Sequence, residues 1–120
     1  MSDRLEEMIS AATIARRLDE LSLEINEHYE GKRPLLVGVL KGCFVFLSDL
    51  ARRLKNVEID FLRVASYGAA TETSGVVQFR MDLDVSVTGR HVLVVEDILD
   101  TGLTLAYLKR HIEEARPASF

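Results

Sequence analysis

The chain has 120 residues, of which 48% are hydrophobic and 28% charged, which is typical of one globular domain over residues 1–120. Its formal net charge of −4 argues against binding nucleic acid through a broad basic face, and no apolar stretch reaches membrane-spanning length. The single cysteine, Cys43, and an N-terminus without the basic and apolar regions of a signal peptide favour the cytoplasm.

The N-terminal part of the chain predicts a helix, a buried strand and a second helix. The first helix has a plausible N-cap at Ser10 and a stop at Gly31. Leu35–Leu40 is a continuous apolar run, typical of a parallel strand buried on both faces. The apolar stripes of the two helices are Ile14, Leu18, Leu21 and Ile25 on the first, and Phe44, Leu47, Ala51 and Leu54 on the second.

The remaining pattern predicts three strands and a final helix. The strands are Val57–Val64, Val76–Leu83 and His91–Ile98, and the helix is Leu103–Ala115. This order indicates an α/β domain with a mainly parallel sheet flanked by helices. Residues 116–120 are typical of the lead-in to another strand. We therefore expect a fold truncated at its C-terminus, with an open apolar edge on the His91–Ile98 strand.

The most informative segment is the end of the His91–Ile98 strand, where an apolar run stops at Glu96 and Asp97 and is followed by Asp100. Open α/β sheets bind ligands at the carboxyl ends of their strands. The backbone bends there, so both adjacent acids can present oxygens to a sugar diol or to a water-bearing Mg²⁺. The alternative is a solvated strand end with a helix cap. The apolar strand, the three acids and the turn that follows them together favour a ligand site.

A predicted anion site follows these acids. Thr101, Gly102, Leu103 and Thr104 would open the next helix. The backbone N–H groups of a first helical turn, with the positive end of the helix dipole, attract phosphate. The threonine hydroxyls add donors, and glycine allows a phosphate to approach the backbone closely.

The segment Val94–Thr104 resembles the phosphoribosyl-pyrophosphate (PRPP) motif of type I phosphoribosyltransferases, in the form of their hypoxanthine-guanine branch. Other segments agree, in the family's order. Gly38–Gly42 resembles the loop that grips pyrophosphate, and Phe61–Gly68 resembles the strand that leads into the catalytic loop. Asp82–Asp84, with Gly89–His91, resembles the return into the PRPP strand.

The resemblance implies a Rossmann-like fold and a purine salvage reaction. A 5-phosphoribosyl group would move from PRPP to hypoxanthine or guanine, giving IMP or GMP and pyrophosphate, with Mg²⁺ as cofactor. It also implies a cytoplasmic homodimer or homotetramer that uses small-molecule substrates and neither nucleic acid nor membrane.

The resemblance also assigns roles to residues of this sequence. It implies that the peptide bond between Lys41 and Gly42 is cis. The implied site consists of Asp100 as catalytic base near the purine N7; Glu96 and Asp97 for the ribose hydroxyls and, through ribose or water, Mg²⁺; Thr101, Gly102, Leu103 and Thr104 for the 5′-phosphate; and Lys41, Gly42, Ser66 and Tyr67 for pyrophosphate.

The resemblance covers the PRPP half of the family's site. The family's base-binding lysine, its purine-stacking aromatic residue and an acidic residue near a second Mg²⁺ lie beyond Phe120. Two alternatives to the enzyme therefore stay open: a PRPP-sensing regulator of the same fold without catalysis, and a truncated domain that binds PRPP and turns nothing over. Retention of Asp100 and of Ser66-Tyr67 favours the enzyme. A nucleotide-sugar or ATP enzyme is disfavoured because the sequence has neither G-x-x-x-x-G-K-[ST] nor G-x-G-x-x-G.

Overall fold

The computed structural model describes residues 5–66, 77–98 and 102–120. Along these ranges the elements follow in the order α, β, α, β, β, β, α. The helices are α1 (Ala11–His28), α2 (Phe44–Ala51) and α3 (Leu103–Glu114). The strands are β1 (Leu35–Leu40), β2 (Glu58–Ser66), β3 (Val77–Met81) and β4 (Val92–Val95).

The four strands form one sheet in the order β3-β2-β1-β4. β1 is parallel to both of its neighbours, and β3 is antiparallel to β2. The predicted α/β class with a mainly parallel sheet is therefore confirmed. In the register of the sheet, Gly38 of β1 pairs with Val95 of β4, and Leu40 pairs with Arg63 of β2. The carboxyl ends of these three parallel strands consequently meet at one edge of the sheet.

Alternate residues of β1 face opposite sides of the sheet, which separates two apolar cores. Val37 packs in a core that includes Leu108 and Ile112 of α3. Leu36 packs on the other side, in a core that includes Leu47 and Leu50 of α2. The sheet therefore lies between α3 on one face and the α1–α2 pair on the other, as the continuous apolar run of β1 predicts.

Helix α1 begins as predicted, because the Ser10 hydroxyl accepts a hydrogen bond from the Thr13 amide. The predicted apolar stripes are wrong at two positions: Ile14 is 50% exposed and Phe44 is 64% exposed. The helices differ in length, since α1 has 18 residues and α2 has 8, or about 27 and 12 Å. Leu21 and Ile25, in the later turns of α1, pack on the core that includes α2, and Phe44 is the first residue of α2, four residues after the end of β1. Among the described residues, no helix is both long and apolar enough to cross a bilayer.

The predicted strand boundaries need correction. The predicted strand 91–98 is shorter in the structure, because Glu96 and Asp97 leave the sheet after Val95. Strand β2 continues to Ser66, two residues beyond its predicted end, because it pairs with β3 there.

The residues after α3 return to the sheet beside β4. The Ala118 amide donates to the Arg90 carbonyl over 2.8 Å, and the Val92 amide donates to the Ser119 carbonyl over 3.0 Å. His91 and Ser119 thereby form a parallel bridge. This pairing agrees with the predicted lead-in to a further strand. It also covers the first residues of the β4 edge that we expected to be open.

Asp60 of β2 is a buried carboxylate that sequence reasoning missed. It is only 8% exposed. One of its oxygens accepts hydrogen bonds from the amides of Asp84 and Val85, over 2.8 and 3.0 Å, and the other accepts from the Phe61 amide over 2.8 Å. Three N–H donors replace water around this carboxylate. Asp60 therefore holds the segment between β3 and β4 against β2.

We expect Asp60→Asn to lower the free energy of unfolding by about 2 kcal/mol, because an amide NH₂ would face backbone N–H donors in place of an acceptor. Urea unfolding followed by circular dichroism measures this change. The control is Asp84→Asn, at an exposed side chain of the same segment, which should shift the unfolding midpoint little. Equal effects of the two substitutions would contradict the assigned role of Asp60.

Candidate active site

Two turns meet at the carboxyl edge of the sheet. Lys41, Gly42 and Cys43 form the turn that connects β1 to α2, and Glu96 and Asp97 follow β4. Because β1 and β4 are parallel neighbours, their carboxyl ends place these two turns side by side. The structure therefore brings Lys41 and Gly42, two of the residues predicted for pyrophosphate, beside Glu96 and Asp97, the acids predicted for ribose.

The closest contact between these turns joins Asp97 to Gly42. A Cβ atom added at Gly42 would lie 2.1 Å from Asp97 Oδ2 and 2.5 Å from Asp97 Cγ. Real side chains do not tolerate such distances, so the carboxyl group of Asp97 occupies space that only glycine leaves open. The family resemblance implies that Gly42 contacts pyrophosphate, and this steric role of Gly42 was not predicted from the sequence. A glycine two residues after a buried strand was the available signal.

Glu96 and Asp97 form a coupled acidic pair. Burial is the main cause that raises the pKa of the Glu96 carboxyl to about 7, and the hydrogen bond and charge of Asp97 add to it. The hydrogen bond with Glu96 and the Ile98 amide lower the pKa of Asp97. The Asp97 amide also donates to Glu96 Oε1 over 3.2 Å. Below neutral pH the pair therefore holds one proton on Glu96 and one negative charge on the exposed Asp97.

The thiol of Cys43 lies beneath this acidic pair. Cys43 is fully buried at the start of α2. Burial raises the pKa of the thiol, and the charges of Glu96 and Asp97 raise it further. The sulfur is therefore held in its neutral form, where it packs as a small apolar group.

Helix α3 begins close to the predicted phosphate site. Gly102 precedes its first turn with a φ of +84°, a left-handed conformation that favours glycine. The Ala106 amide donates to the Gly102 carbonyl over 2.9 Å, so the helix starts directly at this residue. Leu103 is exposed and Thr104 is half-buried in the first turn. A helix that starts with a glycine presents its dipole to a ligand without a covering side chain.

Other predicted site residues fall outside or at the border of the described ranges. Asp100, Thr101 and Tyr67 lie outside the described residues. Ser66 is the last residue of β2 and pairs with Val77 of β3. Strand β2 also ends at the carboxyl edge, so Ser66 is placed at the same edge as the two turns.

The predicted position of the cis peptide bond was wrong by one residue. The cis bond joins Leu40 to Lys41 and does not join Lys41 to Gly42. The backbone changes direction directly after β1, which ends at Leu40. The side chain of Lys41 is exposed at this turn.

Comparison with known proteins identifies the class to which this fold and site belong. The family model of the phosphoribosyl transferase domain matches residues 6–120. A crystal structure of a hypoxanthine-guanine phosphoribosyltransferase from Bacillus anthracis superposes with a TM-score of 0.90 at 44% identity, over 98% of this chain and 70% of that one. The chain therefore belongs to the phosphoribosyl transferase domain family, in its hypoxanthine-guanine branch.

Curated relatives are also named hypoxanthine-guanine phosphoribosyltransferase. The hypoxanthine-guanine phosphoribosyltransferase of Dictyostelium discoideum is 42% identical over 119 residues, which are 95% of this chain and 66% of that protein. The Bacillus subtilis enzyme of that name is 45% identical over 102 residues, or 84% of this chain and 57% of that protein. The chain thus spans somewhat less than two thirds of these relatives.

The raised pKa of Glu96 predicts how stability depends on pH. A carboxyl that titrates near 7 in the folded chain and near 4.5 when unfolded stabilises the fold below pH 4.5. This contribution is lost as the pH rises through about 7. We expect the wild-type chain to lose stability between pH 5 and pH 8 relative to Glu96→Gln, which does not titrate. Urea unfolding of both chains at the two pH values measures the difference. Parallel pH dependence would contradict the shift.

The contact between Gly42 and Asp97 predicts a linked change in both carboxyls. In Gly42→Ala the new methyl group displaces the Asp97 carboxyl, so the hydrogen bond to Glu96 is lost. The pKa of Asp97 should then rise, and that of Glu96 should fall below 7 while staying above 4.5, because burial is its largest cause. Carbon-13 NMR titration of the side chains measures both. The control Gly89→Ala also adds a methyl at a glycine, where it meets nothing within 4 Å; it strains the backbone at a φ of +71° but displaces no carboxyl, so it should alter neither titration. Unchanged titrations in Gly42→Ala would refute the steric role.

Proposed function

We propose that the chain provides the PRPP-binding part of a purine salvage enzyme. The enzyme transfers a 5-phosphoribosyl group from PRPP to hypoxanthine or guanine and releases IMP or GMP and pyrophosphate. Family membership and the names of the relatives support this reaction. The chain spans 66% and 57% of the two curated relatives, so the purine-binding groups of the family are proposed to lie outside it.

The observation that carries the proposal is the contact between Asp97 and Gly42. PRPP holds its pyrophosphate on C1 of the ribose, directly beside the 2-hydroxyl group. A site for PRPP therefore needs an acceptor for hydroxyl groups next to a turn that binds pyrophosphate. The carboxyl of Asp97 against the backbone of Gly42 meets this requirement.

Charge explains why an acidic pair suits the transfer. When the bond between C1 and pyrophosphate breaks, the ribose ring gains positive charge, and a nearby carboxylate stabilises that charge. Ionised Asp97 accepts hydrogen bonds from the ribose hydroxyls on the side of the ring that it faces. The start of α3 at Gly102 binds the 5′-phosphate through backbone N–H groups and the helix dipole. The remaining proposed pyrophosphate contacts are Lys41, Ser66 and Tyr67.

The acidic pair fits Mg²⁺ bound with its substrate better than Mg²⁺ held by the protein alone. In the part of the chain that the structure describes, no group of three or more His, Cys, Asp or Glu side chains could hold a metal. Glu96 and Asp97 supply two carboxyls, which suffice when ribose, pyrophosphate and water supply the other oxygens. When bound, Mg²⁺ would neutralise charge on the pyrophosphate leaving group. Glu96 and Asp97 are the residues that would hold this ion, through the ribose hydroxyls or through water.

The remaining roles are proposed from the family resemblance. Asp100 acts as the general base near N7 of the purine. We propose a homodimer or homotetramer. One relative supports an oligomer: the Trypanosoma cruzi hypoxanthine phosphoribosyl transferase (36% identity, TM-score 0.84) was studied for the role of its C-terminal region in oligomeric state and activity. The cytoplasm is the proposed compartment, supported by the free, buried Cys43.

Calorimetric titration with PRPP tests the proposal. We expect the chain to bind PRPP more tightly with Mg²⁺ than without it. Asp97→Asn should weaken Mg²⁺-PRPP binding about tenfold, because one charge-assisted acceptor for the ribose hydroxyls is lost. Asp84→Asn, at an exposed carboxyl away from the two turns, is the matched control and should bind like the wild type. Equal affinity of wild type and Asp97→Asn would contradict the ribose assignment.

A turnover assay separates the enzyme from its alternatives. Pyrophosphate release that requires hypoxanthine or guanine supports the transferase. PRPP binding without turnover would overturn the catalytic part of the proposal for this chain. It would favour a PRPP-sensing regulator or a PRPP-binding domain without activity.

A further inference from the structure

A contact between strand β3 and helix α3 lies away from the two turns of the site. Nε2 of His111 lies 3.2 and 3.4 Å from the two carboxylate oxygens of Asp82. The His111 ring also packs against Phe79 in a tilted arrangement with 4.2 Å between ring centroids, and the Tyr107 ring lies 5.8 Å from the same phenylalanine. We name these four residues, Phe79, Asp82, Tyr107 and His111, the β3–α3 clasp.

The side chains of the β3–α3 clasp are oriented by contacts within their own segments. Tyr107 and His111 are four residues apart on α3, so their rings lie on one face of the helix and contact Phe79 together. On the other side, Asp82 Oδ1 accepts a hydrogen bond from the Leu83 amide over 2.8 Å, which orients the carboxylate. The groups that meet are therefore ordered by their own segments, which reduces the entropy lost in the contact.

The position of β3 in the sheet makes this contact important. Among the described strands, β3 is at the edge of the sheet and pairs only with β2. The β2–β3 ribbon ends at Ser66 and Val77, at the carboxyl edge that contains the site. Helix α3 begins at the same edge with Gly102. The clasp thus joins the ribbon that ends at the proposed pyrophosphate side to the helix that starts at the proposed 5′-phosphate side.

We propose that His111 is a positioning residue for PRPP. Through Asp82 and Phe79 it fixes the β2–β3 ribbon relative to the start of α3, so that both ends of one PRPP molecule are met at the correct separation. His111 itself does not reach the ligand, since nine residues of helix, about 13 Å, separate it from Gly102. This inference rests on the proposed function.

A positioning role differs from a general effect on stability in its dependence on the ligand. It should affect a ligand that spans both the pyrophosphate side and the 5′-phosphate side of the site more than a ligand that reaches one side. His111→Phe keeps a ring on Phe79 and removes the hydrogen bond to Asp82. We expect this variant to raise the Kd of Mg²⁺-PRPP three- to tenfold, while the Kd of ribose 5-phosphate, which lacks pyrophosphate, changes less than twofold. His111→Gln restores an N–H donor and should recover part of the PRPP affinity. Calorimetry on the full chain measures all of these constants.

A matched control lies on the same helix. Lys109 pairs with Glu113 over 3.7 Å on the exposed face of α3. Lys109→Ala therefore breaks a polar pair of α3 outside the clasp and should leave both Kd values unchanged. Hydrogen exchange gives a second readout: His111→Phe should speed exchange at the amides of residues 78–81 of β3, and exchange in β1 should stay unchanged.

The outcomes separate this inference from the proposed function. If the wild-type chain binds no PRPP, the proposed function fails and the role of His111 fails with it. If the wild type binds PRPP but His111→Phe changes the Kd values of PRPP and ribose 5-phosphate by the same factor, the positioning role is overturned and the proposed function stands. A selective loss of PRPP affinity together with faster exchange in β3 supports the role.

Discussion

The parallel pairing of β1 with β4 is the constraint on which the rest of the site depends. It brings the turn after β1 against the acids after β4, and the Asp97 carboxyl then fills the space beside Gly42. A shift of one residue in this register would reverse the faces of the β4 side chains and separate the two turns. Helix α2 also packs closely on β1, because a Cβ at Gly38 would lie only 2.7 Å from Leu47.

The acidic pair at this edge repels anionic ligands, and the raised pKa of Glu96 reduces that repulsion. A ligand with several phosphate groups is repelled by two carboxylates placed side by side. The partly buried Glu96 has a pKa of about 7, so below neutral pH the pair contributes one negative charge instead of two. The dipole at the start of α3 adds positive potential at the same edge. The acids can therefore recognise a sugar without excluding an anionic ligand from the edge.

The sequence predicted those features of the fold that depend on local patterns. The uninterrupted apolar run from Leu35 to Leu40 defined β1 at both ends, and the left-handed Gly102 stands where the phosphate turn was predicted. Contacts between distant segments could not be predicted. Asp60 gave no local sign that three backbone amides would surround it, and Phe44 is exposed because α2 starts beyond β1. Periodicity describes one element, whereas burial depends on what packs against it.

The two sides of the site differ in how they are supported. The turn after β1 and the acids after β4 follow two paired strands whose side chains pack in both apolar cores, which hold them in place. The β2–β3 ribbon pairs with the sheet along one side, and polar groups secure it at two points. Asp60 fixes the segment that leaves β3, and the β3–α3 clasp joins the ribbon to α3. Closely packed apolar side chains move little, because there is no empty space for them to move into. Polar contacts at the edge of a sheet can open at a small cost in free energy. Strand β2 itself pairs along its length with β1 and buries Leu62 in the core, so it is β3, at the edge, whose position depends most on these directional contacts.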